Sequence, residues 1–221
     1  PSQAWAASAA RFDGYDELWQ RLWENSVDVP GPLVDRLVET CARTGAHCAI
    51  GVNEREEERP GTLYNTLVLV GPEGLVWKHR KLMPTHHERL FHGIGAGDDL
   101  AAAETPLGRI GGLICWENRM PLARYALYGQ GVEIYLAPTY DAGDGWVGTM
   151  QHIAREGGCW VVGCATALEA SDIPEGVPYR DELFPNKDEW INAGDAVIYK
   201  PFGGAIAGPM HKKKGLLIAE I

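Results

Sequence analysis

No stretch of this 221-residue sequence is apolar for long enough to cross a bilayer, and its first residues form neither a basic n-region nor an apolar h-region. A soluble, cytosolic protein is therefore expected. Positive charge is also scarce: 20 Lys and Arg stand against 30 Asp and Glu, a formal charge of -10, so there is no electrostatic footprint for nucleic acid. The five cysteines (Cys41, Cys48, Cys115, Cys159, Cys164) are odd in number and contain no C-x-x-C pair. This argues against a disulfide framework and a zinc cluster, and for a reducing compartment. None of the seven histidines forms an H-x-x-x-H pair, and adjacent His86 and His87 cannot share one helical face. No structural metal is expected. Internal repeats and low-complexity tracts are missing as well.

What is present is ordinary for a folded protein. Hydrophobic residues make up 45% and charged residues 23%, far from disordered, collagen-like or coiled-coil compositions. The length suits one large domain or two small ones and allows a sizeable core.

Tyr15, Leu18, Trp19 and Leu22 recur at helical spacing over Asp13 to Trp23, and Val34, Leu37, Val38 and Cys41 do so after Pro30-Gly31-Pro32, with Gly45 as a stop. The period then changes. His47 to Val52 and Tyr64 to Val70 read as strands joined by a solvated loop, Glu54 to Arg59, and the turn Pro60-Gly61; Leu75 to His79 is a further strand. From Lys81 to Thr105 a long polar loop is broken by Pro84, Gly93, Gly95 and Gly97, the kind of segment that carries function. Arg109 to Cys115 (strand), Met120 to Gly129 (helix) and Val132 to Ala137 (strand) form a βαβ unit, and Trp146 to Arg155 followed by Cys159 to Ala165 repeats it. A Pro- and Asp-rich excursion runs from Glu169 to Asn192. Ala196 to Lys200 and Gly215 to Ile221 are expected to close the chain as a hairpin around Phe202-Gly203-Gly204. One α/β domain is the reading.

Cys115 ends an apolar strand and precedes a helix, which is the setting of a nucleophile elbow. Outward-pointing amides there favour a thiolate, and the Trp116 amide is placed to bind an oxyanion formed by attack at the sulfur. A buried structural cysteine is the competing reading; the polar neighbours Glu117 and Asn118 weigh against it. The other four cysteines are assigned to the core. Lys81, in the run Lys78-His79-Arg80-Lys81, and Glu88-Arg89 would by spacing alone be surface charges. Trp116, Trp146 and Tyr140 are candidate walls for an aryl or alkyl group.

The run Lys78-His79-Arg80-Lys81-Leu82-Met83-Pro84-Thr85, then Glu88-Arg89 and Gly93, then Gly111-Gly112-Leu113-Ile114-Cys115-Trp116-Glu117-Asn118 with Met120-Pro121-Leu122, resembles a nitrilase. Gly61-Thr62-Leu63-Tyr64-Asn65-Thr66 and Gly131-Val132-Glu133-Ile134-Tyr135-Leu136-Ala137-Pro138-Thr139 extend the resemblance over nearly the whole chain. It implies an α-β-β-α sandwich and a Glu-Lys-Cys triad, with Cys115 as nucleophile, Lys81 as the triad lysine, Glu88 as an additional loop glutamate, and Trp116 and Glu117 at the oxyanion- and substrate-binding position. The triad's own glutamate would fall at or before Pro1; Glu17 and Glu24 sit in or beside a helix and do not match. The chain is thus expected to be a fragment of a single domain, 1–221, lacking a first strand and a C-terminal tail, and inactive by itself. The implied reaction takes an organic nitrile to carboxylic acid and ammonia through a cysteine thioimidate and thioester, with no metal, nucleotide or organic cofactor. Homodimers or spiral homo-oligomers are implied too. Two alternatives are an amide-cleaving relative of the same fold and an inactive piece that serves only assembly.

Overall fold

The computed structural model describes residues 15–59 and 61–221. The start of the first expected helix, Asp13-Gly14, and Pro60 of the expected turn lie outside them. Among the described residues no helix is long and apolar enough to cross a membrane.

After two helices, α1 (Tyr15–Glu24) and α2 (Pro32–Thr44), three antiparallel strands form one sheet in the order β1 (Cys48–Arg55), β2 (Leu63–Gly71), β3 (Gly74–Arg80). β2 is buried along its whole length, and its side chains divide by the two-residue period of a strand. Val68 and Val70 face outward, where α2 covers them with Val34, Leu37, Val38 and Cys41. Proline in its first turn and Gly45 at φ 72°, whose amide donates to the Cys41 carbonyl, bound that helix as the sequence suggests. Leu67 and Leu69 face inward, toward a second sheet.

The second sheet contains β4 (Ala103–Thr105), β5 (Gly108–Gly112), β6 (Ile134–Thr139), β7 (Trp160–Ala165), β9 (Trp190–Lys200) and β10 (Gly204–His211), ordered β10-β9-β7-β6-β5-β4, with short β8 (Ala167–Glu169) paired to β9. β5, β6 and β7 run parallel, linked by α3 (Pro121–Gly129) and α4 (Asp144–Gly157), so both expected βαβ units are present. Ile110, Ile134 and Leu136 meet Leu67, Leu69 and Trp77 between the sheets. Tyr135, Ala137, Val161 and Val197 turn the other way, onto Leu127, Trp146, Met150 and Ile153 of the two crossover helices. Helix, sheet, sheet, helix is the resulting layer order, the expected sandwich. At Gly112 a Cβ would lie 2.2 Å from the Leu136 carbonyl oxygen, so only glycine lets β5 lie this close to β6 just before the chain turns at Cys115.

Two expectations are corrected. The closing hairpin pairs β9 with β10, and Gly215 to Ile221 carries no strand; irregular register between Ala205 and Met210 hides the partner's period from the sequence. Glu54 does not belong to a solvated loop: β1 continues through Arg55, and Glu54 is 1% exposed. The excursion before β9 is ordered around Ile173 and Val177, which pack with Leu168 against Leu18 of α1.

Candidate active site

β5 ends at Gly112, earlier than the expected strand to Cys115, and after Leu113 and Ile114 Cys115 opens a 3-10 turn, Cys115–Arg119, with φ 55°. The left-handed region costs a non-glycine residue about 1 kcal/mol or more, so the surroundings must enforce it. Asn118 does so from within the turn, its Nδ2 donating to the carbonyls of Leu113 at 3.0 Å and Cys115 at 2.8 Å. Asn118 is itself oriented by the Tyr135 hydroxyl, which donates to its Oδ1 at 2.9 Å from β6.

Lys81 follows β3 and its side chain is fully buried. Its Nζ donates to Glu88 Oε2 at 2.5 Å and to Thr85 Oγ1 at 2.9 Å. Glu88 sits in the 3-10 turn His86–Leu90; its Oε2 also accepts the Thr85 amide at 2.5 Å, and its Oε1 accepts Asn65 Nδ2 at 3.3 Å from β2. A desolvated ammonium is thus held by a carboxylate that the fold fixes from two further sides. Behind them, burial and the Lys81 charge outweigh the nearby Glu88 carboxylate and bring His92 down to about 4, leaving it neutral at physiological pH.

Cys115, Glu88, Thr85 and Asn65 line one cavity of about 660 Å³, together with Trp116, Tyr140, Phe184 and Ile191. Lys81 reaches this space only through its partners Thr85 and Glu88. Trp116 is half-exposed at the cavity, with the Arg119 guanidinium 4.5 Å from its ring centroid and Arg119 paired to Asp141 at 2.8 Å. Of the three aromatic wall candidates, Trp116 and Tyr140 line the cavity, whereas Trp146, on α4, is 1% exposed and packs into the core between that helix and the second sheet. Cys164 is also not where expected: β7 alternates, and it stands on the face that opens to the cavity, while Cys41 and Cys159 are buried and Cys48 half-buried.

Glu117 is likewise not at the cavity. Its carboxylate is fully buried and points back under the turn, Oε2 accepting the Ile114 amide at 2.7 Å and Oε1 the Leu82 amide at 2.5 Å. His79 Nε2 lies 3.2 Å from both oxygens, and its Nδ1 lies 2.9 Å from Asp99 Oδ1. Burial alone would lower the imidazole, but the two carboxylates outweigh it and push it up to about 9. Sequence reasoning missed His79 and Asp99. The strand period could have found His79, since Trp77 and His79 alternate inward together, their rings parallel at 5.9 Å.

Because the folded value near 9 exceeds the ordinary histidine value of 6.5, His79 stabilises the fold fully below about pH 6.5, and that contribution is lost as pH rises through 9. The difference in melting temperature between the protein and a His79→Gln variant is therefore expected to be largest at pH 6 to 7 and to shrink toward pH 9.5. A difference independent of pH over this range would show that His79 is neutral.

Two sheets packed face to face between helix layers, with a cysteine turn and the Glu88 partner of buried Lys81 at one cavity, define the class of the fold: a four-layer α-β-β-α sandwich. The chain belongs to the carbon-nitrogen hydrolase family, whose model matches residues 11–221. It is 42% identical over 196 residues to an aliphatic nitrilase of Sinorhizobium fredii, covering 89% of this chain and 62% of that protein. It is also 42% identical over 211 residues to a bifunctional nitrilase/nitrile hydratase of Lupinus angustifolius, covering 93% and 59%. The chain therefore spans about 60% of the length of the curated relatives it matches. Among solved structures, the nitrilase-superfamily member Nit3 of Saccharomyces cerevisiae superposes with a TM-score of 0.69 over 88% of this chain and 69% of its own, at 16% identity, which shows a shared fold.

Proposed function

We propose that this protein hydrolyses an organic nitrile to the carboxylic acid and ammonia, with Cys115 as nucleophile. The observation that carries the reading is the Cys115 elbow opening into a cavity whose wall includes Glu88, the carboxylate that fixes the buried Lys81 ammonium. The Cys115 thiolate adds to the nitrile carbon, and the electron pair leaves the C–N triple bond for nitrogen, where the Lys81 charge and the Trp116 amide stabilise it. Protonation of that nitrogen gives a thioimidate. Water adds to its carbon, the C–N bond breaks with release of ammonia, and the resulting thioester is hydrolysed to acid and free thiol. If the C–S bond breaks instead, the product is the amide. Each proton transfer requires a carboxylate near the sulfur, with Glu88 positioning Lys81 or water.

Sequence kinship with nitrilases supports nitriles over amides as substrates, and Trp116, Tyr140, Phe184 and Ile191 give the cavity an apolar wall suited to an alkyl or aryl group. We read the chain as part of a single catalytic domain. Five unpaired cysteines support a reducing, cytoplasmic setting. Exposed Leu122 and Tyr125 on α3 support association with further copies.

The test supplies the full-length protein with aliphatic and aryl nitriles and their matching amides, following ammonia, acid and amide. Nitrile consumption with acid as the main product, and amides turned over at least tenfold more slowly, is expected. Faster hydrolysis of the amides would move the reading to an amidase.

A further inference from the structure

We infer that Glu117 is a positioning residue: its carboxylate, braced by His79 and Asp99, sets the segment carrying Lys81 in register with the segment carrying Cys115. The inference rests on the proposed roles of those two residues.

Lys81 and Cys115 arise from different sheets. Lys81 follows β3 of the three-stranded sheet, and Cys115 follows β5 of the larger one. No strand pairing connects β3 with β5, so the ladders of either sheet leave their relative position open. Glu117 closes that gap with one side chain. Its two oxygens take the amide of Leu82, immediately after Lys81, and the amide of Ile114, immediately before Cys115. The Lys81 segment is held on its other side by Asp99, whose Oδ2 accepts the Arg80 amide at 2.7 Å, while the Lys81 amide itself donates to the Asn65 carbonyl at 2.8 Å. Three successive amides, Arg80, Lys81 and Leu82, are thus each fixed by a different element.

His79 joins the two carboxylates. Both of its ring nitrogens face acceptor oxygens, Nε2 toward Glu117 and Nδ1 toward Asp99, an arrangement that calls for N–H on both. The Glu117 carboxylate therefore meets donors only: two amides and an imidazolium. A glutamine cannot substitute for it, because its NH2 would be forced against one of those N–H groups. Glu117 is also absent from the cavity wall, so its influence on turnover must pass through the residues it holds.

The experiment compares Glu117→Gln, His79→Gln, Cys115→Ala and Val34→Ala in the full-length protein, measuring nitrile kcat, KM and melting temperature. Val34 packs α2 on the outer face of the first sheet and serves as a stability control. Misplacing reacting groups by an ångström costs on the order of 10²-fold in rate, so Glu117→Gln is expected to lower kcat by about 10²-fold with KM within about threefold. His79→Gln, which leaves both amide bonds in place, is expected to lose about tenfold. Val34→Ala should lose melting temperature without losing kcat. The inference is overturned if Glu117→Gln keeps kcat within twofold, if its loss falls on KM alone, or if Val34→Ala at an equal loss of melting temperature loses as much kcat. Should Glu117→Gln not fold, an unimpaired kcat in His79→Gln overturns the inference and a tenfold loss supports it. Turnover by Cys115→Ala would defeat the underlying functional reading. A dead Cys115→Ala beside an unimpaired Glu117→Gln would defeat the clamp alone.

Discussion

Cys115→Ala in the full-length protein is expected to lower nitrile turnover by roughly 10⁴-fold or more while leaving the melting temperature nearly unchanged, since the proposed covalent intermediate forms on its sulfur. The separation of the two effects follows from how the turn is built. Asn118 holds the elbow through the carbonyls of Leu113 and Cys115, and Glu117 through the amide of Ile114, none of which involves the thiol. Kinetics on a good nitrile substrate, with thermal unfolding of the same preparation, check both parts. A variant that retains a tenth of the normal rate would place the nucleophile elsewhere, and Cys164 would be examined first because it faces the same cavity.

Lys81→Ala is expected to lose both activity and stability, which differs from what its chemical role alone would suggest. The side chain is fully buried and ion-paired to Glu88 at 2.5 Å. Removing one member of such a pair leaves an uncompensated charge and an empty channel, at a cost of about 3 kcal/mol, the low end of the range for broken buried pairs because Glu88 keeps 16% exposure. The double variant Lys81→Met with Glu88→Gln removes both charges and fills part of the space. It should recover much of the stability, because replacing a buried ion pair by neutral groups is often close to neutral. Its activity should stay lost, since the positive charge proposed to stabilise the nitrogen anion is gone. Denaturant unfolding and nitrile kinetics on both variants decide the matter. Activity regained along with stability would assign Lys81 a structural role only.

Local pattern in the sequence was enough for most of the architecture. The helical period over Val34 to Cys41, the two βαβ units and the turn at Cys115 all follow from spacing and stop signals, because each element buries one face at its own period. The long-range geometry did not follow. Nothing near Glu54 in sequence reveals that Lys78 and Arg80 meet it on the outer face of the first sheet, at 2.6 Å each, although it reads as one acid in a charged run. Burial there would raise its carboxyl, and the bonds to Arg80, Lys78 and Thr66 bring it below the ordinary range instead. At the site itself, the resemblance singled out Lys81, Glu88 and Cys115; the period of β3 marks His79 as inward-facing, but its partners Asp99 and Glu117 became visible only once β3 and the following loop were folded against the Cys115 turn. Glu117 was noticed for its position beside Cys115, yet its work is on the buried side of the chain.

The alternation along β3 carries a lesson for anyone who builds variant libraries on this scaffold. Its basic run is two sets of residues interleaved by the pleat: Lys78 and Arg80 bind Glu54 on one side, and Trp77 and His79 point to the other. Inserting or deleting one residue within Gly74–Arg80 would exchange the sets, sending a guanidinium into the space of the imidazole and the imidazole out to an acid already satisfied. Length variation in this stretch should be depleted from any selected population even where the composition Lys-His-Arg-Lys is preserved, while point changes at exposed Leu75 pass freely.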